Sequence, residues 1–212
     1  STAAAYGSVS ENKLIDEDTN LNPQNPYAES KIRTERFLFN NQDKFKFIIL
    51  RYFNVAGADK LLRAGQISKR ATHLIKILSE IAVGKRNFIE VYGNDYNTHD
   101  GTAIRDYIHV SDLADIHIEI AKYLLMHSNS QILNCGYGKG YSVLDVINEA
   151  NKICNNSIKH KFTKRRKGDV EKLISNTNKI QKLINWEPKY DDLNTIIKSS
   201  IMWERKLNDK IL

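Results

Sequence analysis

A tyrosine and a lysine four residues apart have the chemistry of a general base. Tyr27 and Lys31 lie in residues 25–31 (NPYAESK), where Pro26 is typical of a first helical residue. Side chains four residues apart share one face of a helix. A phenol has a pKa of about 10, and a neighbouring ammonium lowers it because the positive charge favours the phenolate. The pair alone is weak evidence, since a lysine is expected four residues after one of the ten tyrosines about once by chance.

A small hydroxyl residue near the beginning of the chain adds a third group suited to proton transfer. Thr2 lies in residues 1–7 (STAAAYG), a run typical of a buried strand that ends in a turn. Ligands of α/β folds bind at the carboxyl ends of parallel strands. We therefore expect the Thr2 hydroxyl to emerge at a ligand-binding edge of a sheet.

Three further stretches combine strand-like patterns with polar side chains. Residues 51–58 (RYFNVAGA) end a β-branched and aromatic run, and residues 92–110 (YGNDYNTHDGTAIRDYIHV) contain a strand preceded by a glycine-punctuated loop. The guanidinium of Arg105 in the second stretch suits two phosphate oxygens. Residues 165–169 (RRKGD), taken alone, are typical of a solvated charged loop.

Together these stretches resemble the UDP-glucose 4-epimerase family of the extended short-chain dehydrogenase/reductase superfamily. The resemblance covers nearly the whole chain but about the last two-thirds of a family member. It implies an α/β fold, the C-terminal part of an NAD-binding Rossmann-like parallel sheet plus a smaller α/β substrate-binding domain. Residues 1–58 and 103–136 would be the remnant of the dinucleotide-binding domain, and residues 59–102 and 137–212 the UDP-sugar-binding domain. Because the chain starts at Ser1 and has no G-x-x-G-x-x-G turn, we expect the first half of the dinucleotide-binding fold to be missing.

The same resemblance implies roles for individual residues. Tyr27, assisted by Lys31, would remove the proton of the sugar 4-hydroxyl while Thr2 aligns it, so these three are the expected catalytic residues. NAD is the implied cofactor, contacted by Tyr27, Lys31 and Phe53. The implied substrate-binding residues are Thr2, Asn54, His73, Leu74, Val91, Tyr92, Arg105, Arg166 and Asp169. No metal site is expected.

Departures from the family pattern leave alternatives open. Related nucleotide-sugar 4,6-dehydratases carry Asp-Glu after the hydroxyl residue, where this chain has Ala3 and Ala4, so dehydration is not expected. Leu173 stands where the family has a residue, often Tyr or Cys, that controls room for a 2-acetamido group, which leaves N-acetylated UDP-sugars open as substrates. The missing glycine-rich half leaves open an inactive remnant or a UDP-sugar-binding module. We expect His109, within a strand-like pattern, to be structural.

Composition narrows the class of protein. The chain has 212 residues, of which 41% are hydrophobic and 27% charged, as in soluble globular proteins. The net charge is +7, but the lysines are scattered, which favours a solvated basic surface over nucleic-acid binding. Cys135 and Cys154 fit no metal spacing and favour a reducing compartment. With no apolar run near ~18 residues, we expect a cytoplasmic protein without a membrane partner, and the resemblance implies a homodimer.

Hydrophobic periodicity predicts alternating strands and helices. The predicted strands are residues 45–53, 88–92, 104–110 and 131–135. The predicted helices are residues 26–41, 72–83, 112–126, 143–153, 179–183 and 193–203. Ser111 and Ser142 are the expected N-caps of the third and fourth helices. Residues 8–24, 59–70 and 94–102 are predicted loops, and residues 54–58 a turn.

Overall fold

A computed structural model describes residues 1–9, 13–155 and 157–209 of the chain, so residues 10–12 of the predicted loop 8–24 lie outside it. Its helices are α1 (Pro26–Phe39), α2 (Leu74–Ala82), α3 (Val110–Met126), α4 (Val143–Cys154), α5 (Asn178–Leu183) and α6 (Leu193–Asp209). Its strands are β1 (Ile48–Tyr52), β2 (Asn54–Ala56), β3 (Ile89–Tyr92), β4 (Ile104–His109), β5 (Gln131–Cys135), β6 (Gly140–Ser142), β7 (His160–Thr163) and β8 (Lys172–Leu173). The predicted α/β class is confirmed.

Parallel pairing dominates the sheets. Strand β1 pairs with β5, β2 with β4, and β3 with β7, all in parallel. Strand β4 also pairs antiparallel with β6 and parallel with β8. Thr2 forms a parallel bridge with Tyr52 on β1, so the beginning of the chain runs alongside this sheet.

Phe53 marks the point where the chain passes from one sheet to another. Its backbone nitrogen donates to the Cys135 carbonyl at 3.0 Å, and the next residue, Asn54, is already opposite Tyr107 of β4. The prediction of a turn over residues 54–58 is therefore wrong for Asn54–Ala56. These residues extend because β4 offers them a free edge, which the local sequence does not reveal. The strand is followed by Gly57, whose φ is +89°.

One of the two predicted helix caps is confirmed and the other is wrong. Ser142 accepts from the Asp145 nitrogen, and the Asp145 side chain accepts from the Ser142 nitrogen, which is a capping box. The expected Ser111 cap is wrong, because α3 begins earlier and the His109 ring accepts from the Ser111 nitrogen at 3.1 Å. The other ring nitrogen of His109 contacts the Ser199 hydroxyl at 3.1 Å. His109 is buried and holds the helix start, so its contacts are those of a structural histidine.

Two apolar clusters support these elements. One packs α2, α4 and α6 against β3, with Leu78, Ile147 and Ile196 fully buried at its centre. The other packs α3 and α5 against β1 and β5 around Ile116 and Leu133. Within the described ranges, no helix combines the length and apolar character needed to cross a membrane.

Candidate functional site

A cleft of about 420 Å³ opens where the first residues of the chain, the start of α1, the β1–β2 junction and residues 168–173 meet. Of the residues singled out from the sequence, it is lined by Thr2, Tyr27, Phe53, Asn54, His73, Arg105, Asp169 and Leu173. These residues come from distant parts of the chain, and the sheet edges bring them together as expected for the carboxyl ends of parallel strands.

Thr2 presents its hydroxyl at one end of the cleft. Its backbone is extended, with φ −148° and ψ 144°, and its bridge to Tyr52 holds it against β1. The Thr2 Oγ1 accepts from the Ala4 nitrogen at 3.2 Å. The hydroxyl proton therefore remains available to donate into the cleft.

Tyr27 and Lys31 lie on one face of the first turns of α1. The helix begins as predicted at Pro26, with the Asn25 side chain accepting from the Ala28 nitrogen at 2.9 Å. The Lys31 Nζ lies 5.5 Å from the centre of the Tyr27 ring. Tyr27 is 57% exposed and lines the cleft, whereas Lys31 stands beside it. At the cleft wall, the phenol can donate a proton to a ligand or accept one from it, with the ammonium close by.

Arg105 and Asp169 add charged side chains to the lining of the cleft. The Arg105 guanidinium is paired with the Asp169 carboxylate and also donates to the Ile104 carbonyl at 2.8 Å. Leu173 of β8 lies directly opposite Arg105 in the sheet. A turn precedes strand β8. In this turn the Asp169 nitrogen donates to the Arg166 carbonyl at 3.1 Å, and Gly168 has a φ of +78°. The pairing of β8 with β4 thus brings residues 168–173 to the arginine.

Phe53 and Asn54, at the junction of β1 and β2, also line the cleft. Phe53 is buried in a small cluster with Ala3 and Leu173. Asn54 pairs opposite Tyr107 of β4. Burial raises the pKa of Tyr107 well above its usual value, so this phenol stays neutral.

The remaining predicted site residues lie outside the cleft. Leu74 begins α2 and lines a smaller adjoining cavity of about 50 Å³ that shares Asn54 and His73 with the cleft. The Val91 side chain is buried in the core, so only its backbone could face a ligand. Tyr92 and Arg166 line a separate cavity of about 400 Å³, where the Arg166 Cζ lies 3.6 Å from the Tyr92 ring centre.

Several residues that line the cleft were not singled out from the sequence. Gln24 and Gly7 are the clearest. Gly7 has a φ of +60°, and a Cβ there would lie 1.8 Å from the Asn22 carbonyl oxygen. The Tyr-Gly turn was a signal for Gly7, because a close backbone approach requires glycine. Gln24 lies in a polar loop whose sequence holds no signal for a binding role.

Comparison with known proteins places this geometry in a family. The family model described as GDP-mannose 4,6 dehydratase matches residues 1–199, so the chain belongs to that family. Within it, the chain is 42% identical over 213 residues to the UDP-glucose 4-epimerase of Azospirillum brasilense, with 100% of this chain and 61% of the relative covered. The resemblance to UDP-glucose 4-epimerases inferred from the sequence motifs is confirmed.

Solved structures agree with this assignment. The UDP-glucose 4-epimerase from Stenotrophomonas maltophila with bound NAD and formylated UDP-arabinopyranose superposes with a TM-score of 0.94 at 28% identity, covering 99% of this chain and 63% of that one. The UDP-Glc/GlcNAc 4-epimerase from Campylobacter jejuni is 44% identical with a TM-score of 0.78, covering 97% and 63%. The chain thus spans about three-fifths of the length of the relatives that it matches.

Proposed function

We propose that this chain carries the proton-transfer and nucleotide-sugar-binding groups of an NAD-dependent UDP-glucose 4-epimerase, which interconverts UDP-glucose and UDP-galactose. The observation that carries the proposal is the convergence of Thr2, Tyr27 and Arg105 on one cleft. A hydroxyl and a phenol at one end suit a sugar hydroxyl, and a guanidinium at the other suits a diphosphate.

At the sugar end, Tyr27 takes the proton of the 4-hydroxyl as C4 is oxidised to a ketone. Lys31 places its ammonium 5.5 Å from the centre of the Tyr27 ring. Thr2 donates to the same sugar oxygen and holds it towards Tyr27. When the ketone is reduced, Tyr27 returns the proton, so the residue acts as base and then as acid.

At the nucleotide end, Arg105 binds the diphosphate and Asp169 accepts from ribose hydroxyls. The family resemblance also assigns Arg166, Tyr92 and the backbones of His73, Leu74 and Val91 to the nucleotide, although Tyr92 and Arg166 line a separate cavity in this structure. Inversion at C4 requires the ketose to turn about its link to the diphosphate. The cleft suits this rotation of the ketose. Charged side chains hold the nucleotide, whereas Ala3, Ala4 and Gly7 at the sugar end have no long side chains that would obstruct the turning sugar.

The residues at the sugar end also fit a pyridine nucleotide. The Tyr27 phenol lines the cleft and the Lys31 ammonium lies 5.5 Å from its ring centre. Among the described residues neither side-chain end has a hydrogen-bond partner, so both can bind a cofactor ribose. Phe53 adds an apolar wall. Bound NAD would supply a reversible hydride acceptor for C4. We propose that Tyr27, Lys31 and Phe53 hold it.

The family includes dehydratases by its description, but the cleft favours epimerisation. Water loss from a 4-ketose needs an acid and a base near C5 and C6. Ala3 and Ala4 line the cleft next to Thr2, and methyl groups supply neither.

A second candidate substrate is an N-acetylated UDP-sugar. Leu173 lines the cleft at the position where the resemblance implies a residue, often Tyr or Cys, that controls room for a 2-acetamido group. Leucine is smaller than tyrosine and larger than cysteine, so this position leaves the N-acetylated sugar open. The Campylobacter jejuni relative is named a UDP-Glc/GlcNAc 4-epimerase. A UDP-sugar-binding module without turnover is the third alternative.

Conversion of UDP-galactose in the presence of NAD⁺ tests the proposal. We expect Tyr27→Phe to abolish turnover and to leave UDP binding within about 2-fold, since the nucleotide contacts are elsewhere. Tyr123→Phe is the matched control, because Tyr123 packs on α3 against the second cluster. Turnover that survives Tyr27→Phe, or UDP binding without turnover in the unaltered protein, would contradict the proposal, and the second result would favour a binding module. The homodimer, the cytoplasmic location and the domain division stay predictions.

A further inference from the structure

A buried ion pair joins α1, the helix that carries Tyr27 and Lys31, to strand β1. Glu35 of α1 and Arg51 of β1 form two hydrogen bonds, from Arg51 Nε at 3.1 Å and from Arg51 Nη2 at 2.7 Å. The side chains are only 5% and 3% exposed. Both charges are therefore out of water, where an ion pair is favourable only if its geometry and its other hydrogen bonds are good.

The position of Glu35 links this pair to Tyr27 and Lys31. Glu35 follows Lys31 by four residues, as Lys31 follows Tyr27, so the three side chains run down neighbouring turns of one helix face. The buried residues of α1 are Ala28, Ile32 and Glu35. Apolar packing by Ala28 and Ile32 is not directional, whereas the two-bond ion pair fixes the rotation and the height of the helix.

The same carboxylate also holds the segment that carries Thr2. The Ser1 hydroxyl donates to Glu35 Oε1 at 2.5 Å, and the Ser1 nitrogen donates to the Leu50 carbonyl at 2.9 Å. Arg51 in turn donates to the Tyr6 hydroxyl at 2.9 Å. One ion pair thus contacts α1, β1 and the beginning of the chain, which are the three elements that position Tyr27, Lys31 and Thr2.

We propose that Glu35 and Arg51 are positioning residues, which set the place of the Tyr27 phenol relative to the Thr2 hydroxyl. The inference rests on the proposed function for its catalytic consequence, but the placement of Tyr27 can be measured without turnover. Burial alone would raise the pKa of the Glu35 carboxyl, yet the hydrogen bonds from Arg51 and Ser1 outweigh it and hold the pKa below its ordinary value. The carboxylate therefore stays charged and keeps both partners.

A purely structural role and a positioning role make different predictions for an apolar replacement. Replacing both members of a buried ion pair by apolar side chains of similar size often preserves stability, whereas removing one member leaves an unpaired charge. The double variant Glu35→Leu with Arg51→Met loses the hydrogen bonds to Ser1 and Tyr6 but leaves no unpaired charge, so it should melt well above Glu35→Gln. Apolar contacts are not directional, so neither variant should keep Tyr27 in place.

The experiment places Tyr27→3-fluorotyrosine in each background and records the fluorine resonance together with kcat and KM for UDP-galactose. We expect the resonance to shift or split in both variants, with kcat lower by about 10- to 100-fold, the cost of a misplacement near 1 Å, and KM within about 3-fold. Asp112→Asn is the control, because Asp112 is a buried carboxylate that accepts from the Tyr137 hydroxyl and the Lys189 and Tyr190 nitrogens outside the cleft. It should lower the melting temperature and leave resonance and kcat unchanged.

The two proposals fail in different ways. If the double variant keeps the fluorine resonance and kcat, or if Asp112→Asn changes them equally, the positioning role is overturned. If the unaltered protein shows no turnover but the resonance moves in both Glu35 variants and not in Asp112→Asn, the proposed function fails and the positioning role stands.

Discussion

Arg105 and Asp169 form an ion pair at the wall of the cleft, although 64 residues separate them in the sequence. Strand β8 makes this contact possible. Leu173 of β8 pairs with Arg105 of β4, and this pairing brings the preceding turn, which contains Asp169, close to Arg105. The guanidinium is thereby fixed in direction before any ligand binds, so little conformational entropy is lost when it meets a phosphate.

Removing the Arg105 guanidinium should weaken UDP binding. A hydrogen bond to a charged group contributes about 1.5–3 kcal/mol, so we expect Arg105→Ala to raise the Kd of UDP by about 10- to 100-fold in calorimetry. Arg63→Ala is the control, because Arg63 pairs with Asp59 on the surface and does not line the cleft. Equal affinities for the two variants would show that Arg105 does not bind the diphosphate.

The size of Leu173 should decide the choice of sugar. Leu173 lines the cleft beside Phe53, so Leu173→Tyr fills space that a 2-acetamido group would occupy. We expect the ratio of kcat/KM for UDP-N-acetylglucosamine to that for UDP-glucose to fall by about 10- to 200-fold, the usual range for discrimination by size in an apolar pocket. Leu183→Met, outside the cleft, should leave the ratio unchanged. An unaltered ratio in Leu173→Tyr would exclude this residue as the determinant.

The buried charge cluster between α2 and α6 should matter for stability. Glu204 pairs with Lys76 and accepts from Lys85 at 2.8 Å, and Glu204 and Lys76 are both buried. Removing one member of a buried pair costs about 3 kcal/mol or more, so Glu204→Gln should lower the Tm by roughly 10 °C. Glu119→Gln, which breaks the exposed pair with Lys122, should change it by less than about 2 °C. If both variants lowered the Tm by similar amounts, the buried cluster would contribute no more to stability than the exposed pair, which contradicts the prediction.

His109 should make stability depend on pH. Burial lowers the pKa of His109 from its ordinary value near 6.5, although the charges of Asp112 and Asp59 oppose the shift. A histidine with a lowered folded pKa takes up a proton more readily when unfolded, so the stability it confers is lost as pH falls below about 6.5. His109→Asn keeps a capping acceptor without a titrating ring. We expect it to flatten the fall of Tm between pH 7.5 and 5.5.

His160→Asn controls for histidine loss in general, because His160 is exposed on β7. It should leave the pH dependence of the Tm as in the unaltered protein. A His109→Asn protein that loses stability with pH as steeply as the unaltered one would assign the dependence to other groups.

The sequence alone determined those features that short-range interactions control. The start of α1 at Pro26, the Ser142 cap of α4 and the strand Gln131–Cys135 all follow the predictions. Each depends on residues within a few positions, through capping hydrogen bonds and apolar periodicity. The motif resemblance likewise sufficed to assign the relatives.

Only the tertiary structure decided features whose partners lie far along the chain. Strand β2 exists because β4 is beside it, and His109 rather than Ser111 caps α3 because burial aims the ring at the helix start. It also decided that Arg166 stacks on Tyr92 apart from the cleft, and that Glu35, an ordinary helical glutamate by sequence, is buried against Arg51. Pairing partners and burial are long-range properties, and a local pattern of residues does not contain them.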